Sequence, residues 1–119
     1  MELLFKKKQK TIIILISGEI DHHTSKMLRT QTENALTQLG GRHIIYGFEQ
    51  VTFMDSSGIG MLIGRYKQLH ALGGRIAIAN ATGKIKEIIQ LSGLTKIIPM
   101  FDTIEDSLIY TEGREKDEL

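Results

Sequence analysis

Cysteine is absent from the 119 residues, which removes disulfides, thiolate catalysis and cysteine-held zinc together. Proline occurs once, at Pro99, and aromatic residues make up only 6% of the chain. None of them interleaves with the basic run Lys6, Lys7, Lys8 and Lys10, so that run offers no base-stacking platform and reads as a solvated turn. Neither sign of charge is in excess. The formal net charge is +1, which gives no electrostatic case for nucleic acid or an acidic membrane as the main partner. No apolar run reaches the roughly 18 residues that would mark a membrane span, and residues 12–16 are too short an apolar stretch for a signal-peptide core. Histidine is sparse as well. His22 and His23 are adjacent, so a helix cannot turn both toward one metal, and no metal site is expected.

What is present is an ordinary globular balance, 41% apolar and 24% charged, at a length that suits one domain. Residues 12–16 are a continuous Ile-Ile-Ile-Leu-Ile run, which predicts a strand covered on both faces, with Leu3 to Phe5 as an edge strand beside it. Thr24 and Ser25 read as capping residues of a helix whose apolar face carries Leu28, Ala35, Leu36 and Leu39. Residues 43–48 return as a second strand. Ile59, Leu62, Ile63, Tyr66 and Leu69 then follow at helical spacing. Residues 76–79 form a third inner strand, Ile85, Ile88 and Ile89 a short helix, and Ile97 and Ile98 a last short strand. Asp102 with Glu105 resembles a capping box opening a terminal helix. Strands alternating with helices predict an α/β fold with a small, mostly parallel mixed β-sheet. The chain closes on Lys116-Asp117-Glu118-Leu119, which spells an endoplasmic-reticulum retrieval signal but reads here as a charged tail.

The stretch with chemistry in it is Asp55-Ser56-Ser57-Gly58, between the second strand and the second long helix. In an open α/β sheet, sites form at the carboxyl ends of strands, where this tetrapeptide lies. It has three readings. The first is a helix cap by Asp55 or Ser56. The second is a small serine hydrolase using Ser57 or Ser56. Against it, Ser57 lacks both glycines of a nucleophile elbow, Ser56 has Met54 where the first glycine is needed, and no phosphate loop or dinucleotide fingerprint occurs elsewhere. The third is an acceptor hydroxyl phosphorylated by another protein, since a phosphate at a helix N-terminus meets the positive end of the helix dipole.

Residues 53–60, F-M-D-S-S-G-I-G, together with Gly64-Arg65-Tyr66-Lys67-Gln68, resemble the single-domain STAS family of anti-sigma factor antagonists. Ser17-Gly18-Glu19-Ile20-Asp21-His22-His23-Thr24 matches the family's other signature, and Ser92-Gly93-Leu94 with Lys96-Ile97-Ile98 a third. The resemblance covers nearly the whole chain. It departs at Tyr46-Gly47-Phe48-Glu49, where the family pattern is richer in Leu and Asp.

The resemblance implies a STAS-domain fold over residues 1–112, with 113–119 as a charged tail, and a cytoplasmic regulator instead of an enzyme. It implies a phosphorylation-controlled partner switch: the unmodified protein binds an anti-sigma factor that is also a serine kinase, carrying ATP or ADP, and so releases a sporulation sigma factor. The kinase then phosphorylates Ser57, and a serine phosphatase resets it. Asp55, Ser56 and Gly58 would support the acceptor, and Glu19, Asp21, His22, His23, Thr24, Ile59 and Arg65 would face the partner. No cofactor, nucleic acid or membrane is expected. The same resemblance admits a stress-response antagonist. Taken without it, Glu19 and Asp21 are turn residues, His22 and His23 exposed side chains, and Arg65 and Lys67 solubilising charges on the polar side of their helix.

Overall fold

The run at residues 12–16 is apolar without alternation because each face of its strand meets a different layer. In the computed structural model, which describes residues 1–113, the elements run β1 (Glu2–Lys8), β2 (Thr11–Ile20), α1 (His22–Leu39), β3 (His43–Met54), α2 (Ser56–Ala71), β4 (Ile76–Ala79), α3 (Gly83–Leu91), a 3-10 turn (Leu94–Lys96), β5 (Met100–Phe101) and α4 (Ile104–Glu112). The strands lie in the order β1-β2-β3-β4-β5. β1 is antiparallel to β2 and every other neighbouring pair is parallel, the mixed sheet that the alternation of elements predicts.

Ile12, Ile14 and Ile16 point into the larger core, where they meet Leu28 and Ala35 of α1, Met61, Leu62 and Leu69 of α2, and Ile85 and Ile89 of α3. Ile13 points the other way, with Ile45, Ala77 and Ala79, into a thinner layer closed by Ile104, Leu108 and Tyr110 of α4. Each fully buried Ile, Leu or Phe removes enough apolar surface from water to stabilise the fold by about 1.5–3 kcal/mol. Among the described residues no helix is long and apolar enough to cross a membrane.

The expected strand at Ile97 and Ile98 is corrected by the structure. Gly93 takes a left-handed conformation (φ 81°) and opens the 3-10 turn. The N–H groups of Ile97 and Ile98 both donate to the Leu94 carbonyl, at 3.0 and 2.9 Å, so neither can join the ladder. Ile98 drops into the core, and pairing with β4 begins only at Met100. The cap of α4 is also one residue later than expected: Thr103, not Asp102, receives the Asp106 N–H at 3.0 Å. Leu39 is 39% exposed and does not complete the apolar face of α1. Gly113 caps α4 with a positive φ of 62°. The rest of the expected tail, residues 114–119, lies outside the described residues.

Two side-chain hydrogen bonds anchor the first half of the central strand β3. Thr32 of α1 and Tyr46 of β3 share a buried hydroxyl–hydroxyl bond of 2.9 Å. Three residues earlier, at the start of β3, His43 is buried and its Nδ1 accepts the Arg75 N–H at 2.9 Å. Loss of hydration on burial lowers the His43 pKa from its ordinary 6.5, with Arg42, Arg75 and Lys10 adding to the shift and Glu112 opposing it. In the unfolded chain His43 takes a proton near the ordinary value, while the folded chain resists it to lower pH. Between those two points the unfolded state binds more protons, so acid favours unfolding. The urea midpoint should therefore fall as pH drops below about 6.5, and His43→Gln, which keeps an acceptor and removes the titration, should fall less. Equal slopes for the two proteins would contradict this.

Candidate functional site

β2 and β3 stay paired to their last residues. Glu19 lies opposite Phe53 and Ile20 opposite Met54, and the N–H of Asp55 donates to the Ile20 carbonyl at 3.2 Å. Parallel strands that end in step send the chain into their helices side by side. Each helix opens on an aspartate, so two capped N-termini stand together at the carboxyl end of the sheet.

Asp21 caps α1. Its Oδ1 accepts the N–H groups of His23 and Thr24 at 3.0 and 2.9 Å, while Thr24 Oγ1 accepts the Asp21 N–H at 2.8 Å. The capping residue is thus Asp21, with Thr24 as its reciprocal partner, and the expectation for Ser25 is corrected. Ser25 lies inside the first turn, where its hydroxyl donates to the His22 carbonyl at 3.2 Å. The Thr24 N–H, and then its hydroxyl, hold the Asp21 carboxyl below its usual range.

Asp55 caps α2 by accepting the Ser57 N–H at 2.8 Å. That bond fixes the backbone of the second serine and leaves its hydroxyl to other uses. Ser56 is exposed and Ser57 half-buried in the first turn of α2. Gly58 is needed for packing: a Cβ there would stand 2.6 Å from Met54 Cγ and 3.0 Å from Ile20 Cγ2. Gly58 therefore lets α2 start directly against both strand ends.

The structure brings Asp55, Ser56, Ser57 and Gly58 to the same end of the sheet as Glu19, Asp21, His22, His23 and Thr24. Glu19, His22 and His23 are exposed, and Ile59 is half-buried beside them in sequence. Arg65 is elsewhere. It is only 4% exposed, its Nη2 donates to the Arg29 carbonyl at 3.1 Å, and Glu33 lies 3.6 Å away. The expectation that Arg65 sits on the solvated side of α2 is corrected: it faces α1. Lys67 is exposed, as expected.

Sequence reasoning missed Phe53, which is 46% exposed next to the site. β4 pairs with β3 only at residues 44–47, so the last turns of β3 overhang its neighbour and one side of Phe53 is uncovered. The signal was the mismatch between a long β3 and a four-residue β4. Among the described residues no group of three or more His, Cys, Asp or Glu is placed to hold a metal ion, and no histidine is hydrogen-bonded to Ser56 or Ser57.

Known proteins resemble this chain in sequence and in fold. The anti-sigma F factor antagonist of Paenibacillus polymyxa is 34% identical over 112 residues, covering 94% of this chain and 96% of that protein. The structure of the anti-sigma factor antagonist SpoIIAA in its unphosphorylated form aligns with a TM-score of 0.69 at 30% identity, covering 91% of this chain and 94% of that one. The Bacillus cell fate determinant SpoIIAA in the phosphorylated form aligns with a TM-score of 0.68 at 31% identity, covering 90% of this chain and 96% of that one. Residues 2–107 match the STAS domain, and with a match over most of its length the chain belongs to the STAS domain family.

Proposed function

We propose that this protein is an anti-sigma factor antagonist that works by partner switching and is controlled by phosphorylation of Ser57. In this reading the unmodified protein binds an anti-sigma factor with serine-kinase activity and frees a sporulation sigma factor in the cytoplasm. The bound kinase moves the γ-phosphoryl group of its ATP to Ser57 Oγ. An O–P bond forms at the serine, the bond to ADP breaks, and the hydroxyl proton leaves to a base on the kinase. A serine phosphatase restores the hydroxyl. The chain itself performs no chemistry, and no cofactor has a part in it.

The observation that carries this reading is the placement of Ser57. Its backbone is held by Asp55 at 2.8 Å and its side chain opens at a helix start, on the end of the sheet shared with the Asp21 loop. Phosphorylated and unphosphorylated SpoIIAA match this chain about equally well, which supports a switch that leaves the fold in place. Glu19, Asp21, Asp55 and the exposed face of Phe53 would form the partner-facing surface with His22, His23, Thr24 and Ile59. A serine hydrolase has less support, because neither serine has a hydrogen-bonded base among the described residues.

Incubation with an anti-sigma factor kinase of this class and ATP should place one phosphate on Ser57, read by intact mass and peptide mapping. Phosphate on Ser56 with Ser57 bare would overturn the assignment.

Asp55→Asn provides a second test. Asn is as good an N-cap as Asp, so the thermal midpoint should hardly move. The negative charge beside the acceptor is lost, and the initial phosphorylation rate should fall by about tenfold or more, about 1.4 kcal/mol. An unchanged rate, or rate and stability falling in parallel, would show that Asp55 is structural only.

A further inference from the structure

Two glycines in α2 have no packing reason among the described residues. Gly60 and Gly64 are four residues apart and exposed, and a Cβ built at either would meet nothing within 4 Å. Glycine weakens a helix interior relative to alanine, so the bare backbone is a cost without a return in the fold. Between them and α1 lies a cleft of about 200 Å³, lined by Arg29, Glu33, Gly60, Gly64, Arg65 and Gln68 among others. Its floor is the buried Arg65. The guanidinium donates through Nη2 to the Arg29 carbonyl and through Nη1 to Gln68 Oε1. Nε is buried with no acceptor. The nearest carboxylate, Glu33, stands 3.6 Å from Nη2, is itself half exposed, and is too distant for a hydrogen bond. With Arg29 on the wall, the cleft holds two cations against one anion.

We propose that this cleft binds a small oxyanion of phosphate size. A guanidinium presents planar paired donors that match phosphate or carboxylate oxygens, and its burial here strengthens the attraction by excluding water. The ligand's oxygens would take N–H donors now given to Gln68 and the Arg29 carbonyl, and the Arg29 side chain would close over it. The glycines keep the mouth open on the α2 side, where any Cβ would stand in the entrance. This site is separate from Ser57, and it is tested on the isolated chain, so its outcome does not depend on the partner-switching reading.

The experiment is an amide chemical-shift titration of the isotope-labelled protein with inorganic phosphate, at ionic strength held constant with chloride. Acetate is run in parallel to separate a phosphate from a carboxylate ligand. Saturable shifts centred on Gly60, Gly64 and Arg65 are expected with one of the two. Arg29→Ala should weaken that binding by about tenfold, the loss of one charge-assisted contact. Arg65→Gln should abolish it. Because Arg65→Gln can also disturb the fold, Gly64→Ala is the decisive variant: it has room for its methyl group, favours the helix, and should narrow the mouth of the cleft and weaken binding. Shifts that grow linearly with both anions, or saturation unchanged in Gly64→Ala and Arg29→Ala, would overturn the proposal.

Discussion

The hydrogen bond from the Asp55 N–H to the Ile20 carbonyl, 3.2 Å long, is the constraint on which the site depends. It continues the parallel register of β2 and β3 one residue past the strands, so that α1 and α2 start level with each other. Gly58 makes this possible sterically, since any side chain there would collide with Met54 and Ile20. Everything else at this end follows. Each helix needs an acceptor for its free N–H groups, Asp21 and Asp55 supply them, and the caps hold Thr24 and Ser57 in fixed positions.

In the proposed switch, that arrangement would let one residue change binding without changing the fold. A side chain in the first turn of α2 is outside the core and at the positive end of the helix dipole, which favours an added dianion by about 0.3–1 kcal/mol at the surface. Under a docked partner the same charge must lose its water, at a cost of several kcal/mol if nothing compensates it. Glu19, Asp21 and Asp55 nearby are already negative and offer no compensation. Under the proposed reading, desolvation and repulsion would outweigh the dipole, so the charge would discriminate between the free and bound states and leave the folded and unfolded states alone.

The strand pattern and the Asp55-Ser56-Ser57-Gly58 corner were legible because they depend on local rules: β-branched runs for buried strands, small polar residues for helix starts. The errors came where tertiary context decides. Arg65 has the spacing of a solvated charge, yet it is buried because α1 offers the Arg29 carbonyl and Glu33, and its own helix offers Gln68. Phe53 reads as one more strand residue, and only the short reach of β4 exposes it. Ile97 and Ile98 have strand propensity, but the turn set by Gly93 takes their N–H groups first. Family resemblance implies a partner-facing role for Asp21, while its role as the helix cap is evident only from the backbone geometry.

The most direct test of the switch is a calorimetric titration of an anti-sigma factor kinase, loaded with ADP, with the unmodified protein and with the protein phosphorylated on Ser57. A desolvation cost of about 3 kcal/mol corresponds to roughly a hundredfold weaker binding of the phosphorylated form. The two forms should give superimposable circular dichroism spectra. Equal affinity for both forms, or weakened binding accompanied by loss of the folded spectrum, would contradict the account.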